Sequence, residues 1–348
     1  MISIVIPLRN ECDRVEALLA AAVDQLQDDE ELEFIFIDGA SVDDTKERIQ
    51  ELQKNDRFAQ HFIEGRKTIR VLDNPRHFVS GALNLAIAEA KGEIIVRWDA
   101  HTEYASDYIE QCVRTLEGTN AWNVGGPART KADGYLQRAV AAAYHSAFSV
   151  GGASFHDIDY EGYVDTVTYG CWRKKTLIDL GGFDEELVRN QDDELNLRIV
   201  REGGTIYQSP SIKSWYHPRS TLSALFKQYL QYGYWKVRVI RKHRIPASIR
   251  HLVPVSFVTG LVLGPLLGYL FPVLFAMYLI AVAAYFGLLS VFSVATSRKN
   301  GWDLLLVMPV VFLTYHISYG IGFLGGLIDS IFCRKGSAAH SVFTGLSR

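Results

Sequence analysis

The chain has 348 residues, of which 48% are hydrophobic, and a formal net charge of −3. The length suggests about two domains. Its four cysteines, Cys12, Cys112, Cys171 and Cys333, are scattered with no C-x-x-C spacing, which excludes a disulfide framework and a zinc site of that type.

The opening stretch "MISIVIPLRNE" is not expected to act as a signal peptide. Its apolar run is about six residues long and meets Arg9 and Glu11 at once. "ISIVIPL" instead reads as a short buried strand, being brief, apolar and β-branched. "ECDRVEALLAAAVDQL" continues with helical spacing at Val15, Leu18, Leu19, Ala22, Val23 and Leu26. "LEFIFIDGAS" is a second strand ending in turn residues. "SVDDTKERIQELQ" starts a helix, with Ser41 or Asp43 as its cap. "TIRVLDNP" is a third strand, and "FVSGALNLAIAEAKG" a helix closed by Gly92. "EIIVRWDAH" is the fourth strand.

This alternation predicts a parallel α/β sheet with crevices at the carboxyl ends of its strands. Each strand ends in polar residues: Arg9, Asn10 and Glu11, then Asp38, then Asp73 and Asn74, then Asp99. Four polar endings on one edge predict a site there. Asp99 and His101 stand two apart at a strand end, so alternation puts both side chains on one face. An acid and an imidazole are costly to bury at such a place, and holding a metal ion accounts for them.

After Trp122 the pattern loosens. "VGGPART" and "SVGGASFHD" read as loops. "YGCWRKKTLIDLGGFDEEL" reads as strand, helix and glycine turn, and "NQDDELNLRIVREGG" as a helix with acids at its front. Residues 203–250 then carry nine Lys or Arg, and no acid occurs between Glu202 and Asp303. Cations gathered before apolar spans favour the anionic cytoplasmic face of a membrane. "HLVPVSFVTGLVLGPLLGYL", "PVLFAMYLIAVAAYFGLLSVFSV" and "LLLVMPVVFLTYHISYGIGFLGGLI" are each long enough to cross a bilayer, which takes roughly 20 apolar residues. "SRKNGWD" reads as a polar loop. Placing the basic stretch and Arg298–Lys299 in the cytoplasm requires two spans between them. The third segment then sends Arg334 and Lys335 outward, against the rule, unless it is re-entrant.

"IVIPLRNE", "IDGASVDDT", "RWDAH", "GGFDEEL" and "QDDELNLR", in this order, resemble family 2 of the inverting glycosyltransferases over roughly residues 1–240. With the membrane tail and the D-A-H variant, the chain is most similar to the bacterial exopolysaccharide, succinoglycan-type glucosyltransferases. The resemblance implies an A-type nucleotide-sugar fold, Rossmann-like with a mostly parallel sheet, followed by C-terminal transmembrane helices. It implies three segments: a cytoplasmic catalytic domain over 1–222, a basic amphipathic interfacial segment over 223–250, and a membrane domain over 251–348.

The same resemblance assigns roles. Asp99 and His101 stand at the family's D-x-D, which ligates a divalent cation, Mn2+ or Mg2+, on the sugar-nucleotide phosphates. Imidazole suits manganese better than magnesium. His217, in "SWYHPRS", is a further candidate ligand or phosphate contact. Pro7, Asn10 and Glu11 form the loop under the base, Asp38 accepts from base or ribose, and Arg76 and Asn84 approach the diphosphate. "QDDELNLR" aligns with E-D-x-D-L-x-x-R, which makes Asp192 the base, Asp193 its neighbour in an alternative register, and Gln191 a departure. "QYGYW" is similar to Q-x-x-R-W, with Tyr234 in place of Arg and Lys236 or Arg238 as substitutes for the charge.

The expected function is transfer of one sugar, glucose from UDP-glucose, to a polyprenyl-diphosphate-linked saccharide at the inner membrane, in exopolysaccharide assembly. The expected partners are the UDP-sugar, that lipid-linked acceptor and the bilayer, with no nucleic acid. The alternatives are a polyprenyl-phosphate glycosyltransferase like the dolichol-phosphate-mannose synthases, a processive synthase, which Tyr234 and the small number of spans argue against, and a non-catalytic membrane scaffold.

Overall fold

The computed structural model describes residues 1–25, 31–62, 66–75, 78–245, 248–332 and Phe343. The chain divides into two compact units, one from Met1–Arg129 and Ser154–Tyr216, the other from Thr130–Ala153 and His217–Arg348.

The first unit begins with the alternation that the sequence predicts: β1 (Ile2–Leu8), α1 (Cys12–Val23), β2 (Leu32–Asp38), α2 (Thr45–Lys54), the short α3 (Asp56–Ala59), β3 (Lys67–Asp73), α4 (Val79–Glu89) and β4 (Ile94–Arg97). Next come β5 (Thr102–Tyr104), α5 (Tyr108–Gly118), β6 (Asn123–Gly126) and β7 (Arg129–Thr130). After α6 (Tyr135–Tyr144) and α7 (Ala147–Val150), which lie in the second unit, it resumes. Its remaining elements are β8 (Gly162–Val164), β9 (Thr168–Arg173), α8 (Lys174–Asp179), α9 (Gln191–Arg201), β10 (Ile206–Gln208) and β11 (Ser214–Tyr216).

Eight strands form one sheet in the order β3-β2-β1-β4-β9-β6-β10-β8. β3, β2, β1 and β4 are parallel, as are β6 and β10, whereas β9 and β8 run antiparallel to their neighbours. Side-chain alternation feeds two cores. Ile4, Ile6, Phe34 and Phe36 pack on one face with Leu19, Ile49 and Ile109 of the helices. Val5, Ile35, Ile37 and Ile95 pack on the other with Leu83, Leu177 and Leu195. A sheet covered on both faces explains why β1 and β2 read as continuous apolar runs.

The register lines up the carboxyl ends. Leu8 pairs with Asp38, and Asp38 with Asp73. Arg97 pairs further back, with Val5, but the Trp98 amide still donates to the Val5 carbonyl at 3.0 Å, so Asp99 is carried out to the same edge. Gly92 does not close α4, which ends at Glu89 with Ala90 extended. Its amide donates to Ser3 Oγ at 2.8 Å, and a Cβ there would lie 2.7 Å from the Ser3 amide nitrogen. The glycine serves close approach to β1 rather than a helix stop.

The second unit is helical: α6 and α7, then α10 (Leu222–His243), α11 (Val253–Leu270), α12 (Pro272–Asn300) and α13 (Met308–Phe332). The small residues Ala139, Val140, Ala142 and Ala143 of α6 pack with Leu225, Leu289, Val311, Phe312 and Tyr315. Three of its helical segments, Ile249–Leu270, Pro272–Asn300 and Met308–Phe332, are long and apolar enough to cross a membrane. α12 runs on through Arg298 and Lys299, where the sequence pattern predicts a loop, and the loop begins at Gly301. Cations suit the negative end of a helix dipole. α13 is a continuous helix of 25 residues. Arg334 and Lys335, on which the expected topology turns, lie outside the described residues.

Candidate active site

Two strand-to-helix links at the carboxyl edge are laced together. Asn10 has a left-handed φ of 51°. Its amide donates to Ser41 Oγ at 2.8 Å, and its side-chain oxygen accepts from the Val42 amide at 2.8 Å. The Glu11 amide donates to Thr45 Oγ1 at 2.8 Å. Asp38 is buried, and its carboxylate accepts from the Ser41 amide at 3.1 Å and the Ser41 hydroxyl at 2.5 Å. The N-cap of α2 is Asp44, not Ser41 or Asp43, because the helix starts later than the sequence suggests; Asp43 stands just before it and accepts from the Thr45 amide at 3.2 Å. Pro7 sits in β1 opposite Ile37. Pro7, Asn10, Glu11 and Asp38 are thus gathered on one edge.

β4 ends at Arg97, and the chain beyond it turns instead of continuing as strand. The Thr102 amide donates to the Asp99 carbonyl at 3.2 Å, and the His101 amide to Asp99 Oδ1 at 3.3 Å. An aspartate that bonds the backbone two residues on is a turn former. Strand alternation is therefore not what relates Asp99 to His101; this turn is. It is backed by Tyr104, whose ring stacks on Trp98 at 4.3 Å and whose hydroxyl oxygen accepts from the Asp99 amide at 2.6 Å. The Thr102 hydroxyl meets that of Tyr169, a residue with a left-handed φ of 62° next to the β6–β9 irregularity. Backbone strain of this kind clusters at functional sites.

Arg97 joins the two acids. Its side chain is only 6% exposed, it forms a close ion pair with Asp192, and it lies 3.8 Å from Asp99. Burial opposes the guanidinium charge, but Asp192 and Asp99 outweigh it and hold the pKa above its ordinary value. Asp192 occupies the first turn of α9 with Asp193 beside it. Burial pushes the Asp192 carboxyl up, Arg97 pulls it down, Asp193 and Asp99 push again, and the net direction is upward. Its side chain keeps 38% of its surface open, so a hydroxyl can reach it from solvent.

The α9 frame explains the rest of the acidic motif. Glu194 is fully buried and pairs with Arg198 at 2.7 Å. Arg198 in turn donates to the Leu180 and Gly182 carbonyls, at 2.5 and 2.7 Å. Asn84 is spent on the same turn, bonded to both the amide and the carbonyl of Phe183 and to Glu185.

His101 Nε2 lies 2.9 Å from Glu11 Oε1. Among the described residues no group of three His, Cys, Asp or Glu is placed to hold a metal ion; Asp99 and His101 would supply two donors, with His101 facing Glu11. Arg76 lies outside the described residues. His217 belongs to the second unit and is half-buried there. So does "QYGYW", inside α10, where Gly233, Tyr234 and Trp235 are buried. The Tyr234 hydroxyl donates to Asp329 Oδ2 at 2.5 Å. Arg238, one turn on, reaches that carboxylate at 3.3 Å and lies over the Trp235 ring.

Sequence reading misses Arg97 and Tyr104. Arg97 ends an apolar strand that faces two cores, and a lone cation there is the signal available. Tyr104 carries none.

Residues 3–169 match the model of the family described as Glycosyl transferase family 2. The chain is 30% identical over 266 residues to the succinoglycan biosynthesis protein ExoA of Rhizobium meliloti (strain 1021), a match covering 76% of this chain and 77% of that one. It is 27% identical over 333 residues to the dolichyl N-acetyl-α-D-glucosaminyl phosphate 3-β-D-2,3-diacetamido-2,3-dideoxy-β-D-glucuronosyltransferase of Methanococcus voltae, covering 94% and 97%. Among solved structures, the mannosyltransferase PcManGT from Pyrobaculum calidifontis, in complex with GDP-Man and Mn2+, aligns with a TM-score of 0.58 at 19% identity, covering 93% of this chain and 86% of that one. That likeness shows the fold.

Proposed function

The chain belongs to glycosyl transferase family 2 and has its A-type fold, and from that premise we propose that it is a membrane-anchored inverting glycosyltransferase. It moves one sugar from a nucleotide sugar, UDP-glucose, to a polyprenyl-diphosphate-linked saccharide in exopolysaccharide assembly. The catalytic unit faces the cytoplasm at the inner membrane. The ExoA relative supports the pathway, and the relative whose name carries a dolichyl-linked sugar phosphate supports a lipid-linked acceptor. Three apolar helices support the anchor.

The observation that carries the chemistry is Arg97, which touches Asp99 on one side and Asp192 on the other. Inverting transfer needs a carboxylate that takes the acceptor's proton as its oxygen attacks the anomeric carbon. Asp192 does this, with Asp193 adjacent. Asp38 and the Pro7–Glu11 loop receive the nucleoside, and Arg76 is assigned to the diphosphate by resemblance to the family. Asp99 and His101 hold the divalent cation, Mn2+ or Mg2+. With two protein donors, such an ion would need substrate oxygens or water for the rest of its shell. When bound, the ion neutralises charge on the departing diphosphate. Arg97 keeps the Asp192 carboxyl in place while the acceptor enters.

The test is a donor screen with purified chain and a lipid-linked acceptor, with and without chelator. Chelator is expected to stop transfer. Asp192→Asn is expected to lower kcat by about 10²–10⁴-fold while UDP-sugar binding stays nearly intact. Substantial turnover by that variant removes Asp192 as the base.

A further inference from the structure

We propose that Glu11 orients His101 for metal binding, a role separate from any contact with the nucleoside. The inference rests on the reading that Asp99 and His101 hold the cation. His101 Nε2 lies 2.9 Å from Glu11 Oε1, which leaves Nδ1 as the ring nitrogen turned away from that carboxylate. In the neutral ring, the nitrogen that donates to a carboxylate carries the proton, and the other keeps its lone pair. Glu11 therefore leaves Nδ1 as the donor atom of the imidazole.

The two partners differ in how firmly they are held. Glu11 is 7% exposed, against 41% for His101. Glu11 sits at the N-cap position of α1, and its carbonyl accepts from the Arg14 and Val15 amides at 2.8 and 3.2 Å. Its own amide is held by Thr45 Oγ1. Asn10 before it is locked by Ser41 and Val42. A fixed, buried carboxylate facing an exposed ring sets the orientation of the ring. Arg14 lies 3.6 Å from the other carboxylate oxygen, Oε2.

The test is a double-mutant cycle on the full-length chain in detergent, with Mn2+ affinity read from the EPR signal of the free ion in the presence of UDP. Glu11→Leu is expected to weaken Mn2+ binding by about 10–100-fold, the usual size of an outer-shell loss. Glu11→Gln, which keeps an acceptor oxygen, is expected to lose less. In the His101→Asp background, Glu11→Leu is expected to cause no loss or a gain, because a carboxylate ligand needs no tautomer partner. Thermal unfolding of each variant separates a binding defect from a folding one. Unchanged affinity in folded Glu11→Leu, or an equal loss in both backgrounds, overturns the inference. If Asp99→Ala leaves Mn2+ binding unchanged, or the unmodified chain takes no Mn2+, the metal reading itself fails, and this inference with it.

Discussion

Asp192 must be ionised to accept a proton, yet its surroundings favour the protonated form. Burial and the nearby acids Asp193 and Asp99 raise its carboxyl, and Arg97 opposes them. A base works only above its own pKa, so the rate is expected to fall as pH drops through that raised value. The acidic limb of kcat/KM against pH should then lie above that of an unperturbed aspartate, and Arg97→Gln should move it higher still. A limb at the position of an unperturbed aspartate, unmoved by the variant, contradicts this. Asp99, His101 and Asp192 are legible in the sequence because each belongs to a short local motif. Arg97 is not, because its meaning depends on Asp192, 95 positions away. The same holds for Glu11, whose local sequence shows only a loop under the base. Its partner, His101, arrives from a different strand end.

At the level of elements, β1 to β4 and their helices are legible because strand and helix periods differ and turn residues separate them. α6 is not, since its buried face is built of alanines and one valine and carries little apolar contrast. α10 reads in the sequence as a basic interfacial helix. Its face at Gly233, Tyr234 and Trp235 packs on α13. At Gly322 of α13 a Cβ would land on the Leu230 carbonyl oxygen, and at Gly326 it would lie 2.7 Å from the Tyr234 carbonyl oxygen. Small residues let helices approach this closely. Backbone atoms cannot yield as a side chain can, so Gly322→Ala is expected to destabilise the unit by about 1–3 kcal/mol, the usual range for overpacking. Thermal unfolding in detergent measures it. Gly260→Ala in α11, where a Cβ meets nothing within 4 Å, serves as the control and should change little.

At the scale of the whole molecule, the two units are not consecutive in the chain. The second borrows residues 130–153 from within the first. Cutting after Tyr216 therefore does not release a clean catalytic fragment. It leaves Ala139, Val140, Ala142 and Ala143 without Val311, Phe312 and Tyr315 to cover them. Such a fragment is expected to self-associate on gel filtration and to bind ANS. Replacing residues 130–153 with a flexible linker in the same fragment should restore a monomer. If the simple truncation is already monomeric, the borrowed segment is not what requires the helices.

The borrowed segment also sets a clock on biogenesis. Residues 130–153 leave the ribosome long before Met308–Phe332 is made, roughly ten to thirty seconds earlier at ordinary elongation rates. For that interval the nascent chain holds a half-built hydrophobic seam that nothing yet translated can close. Completion has to wait for the last of these helices.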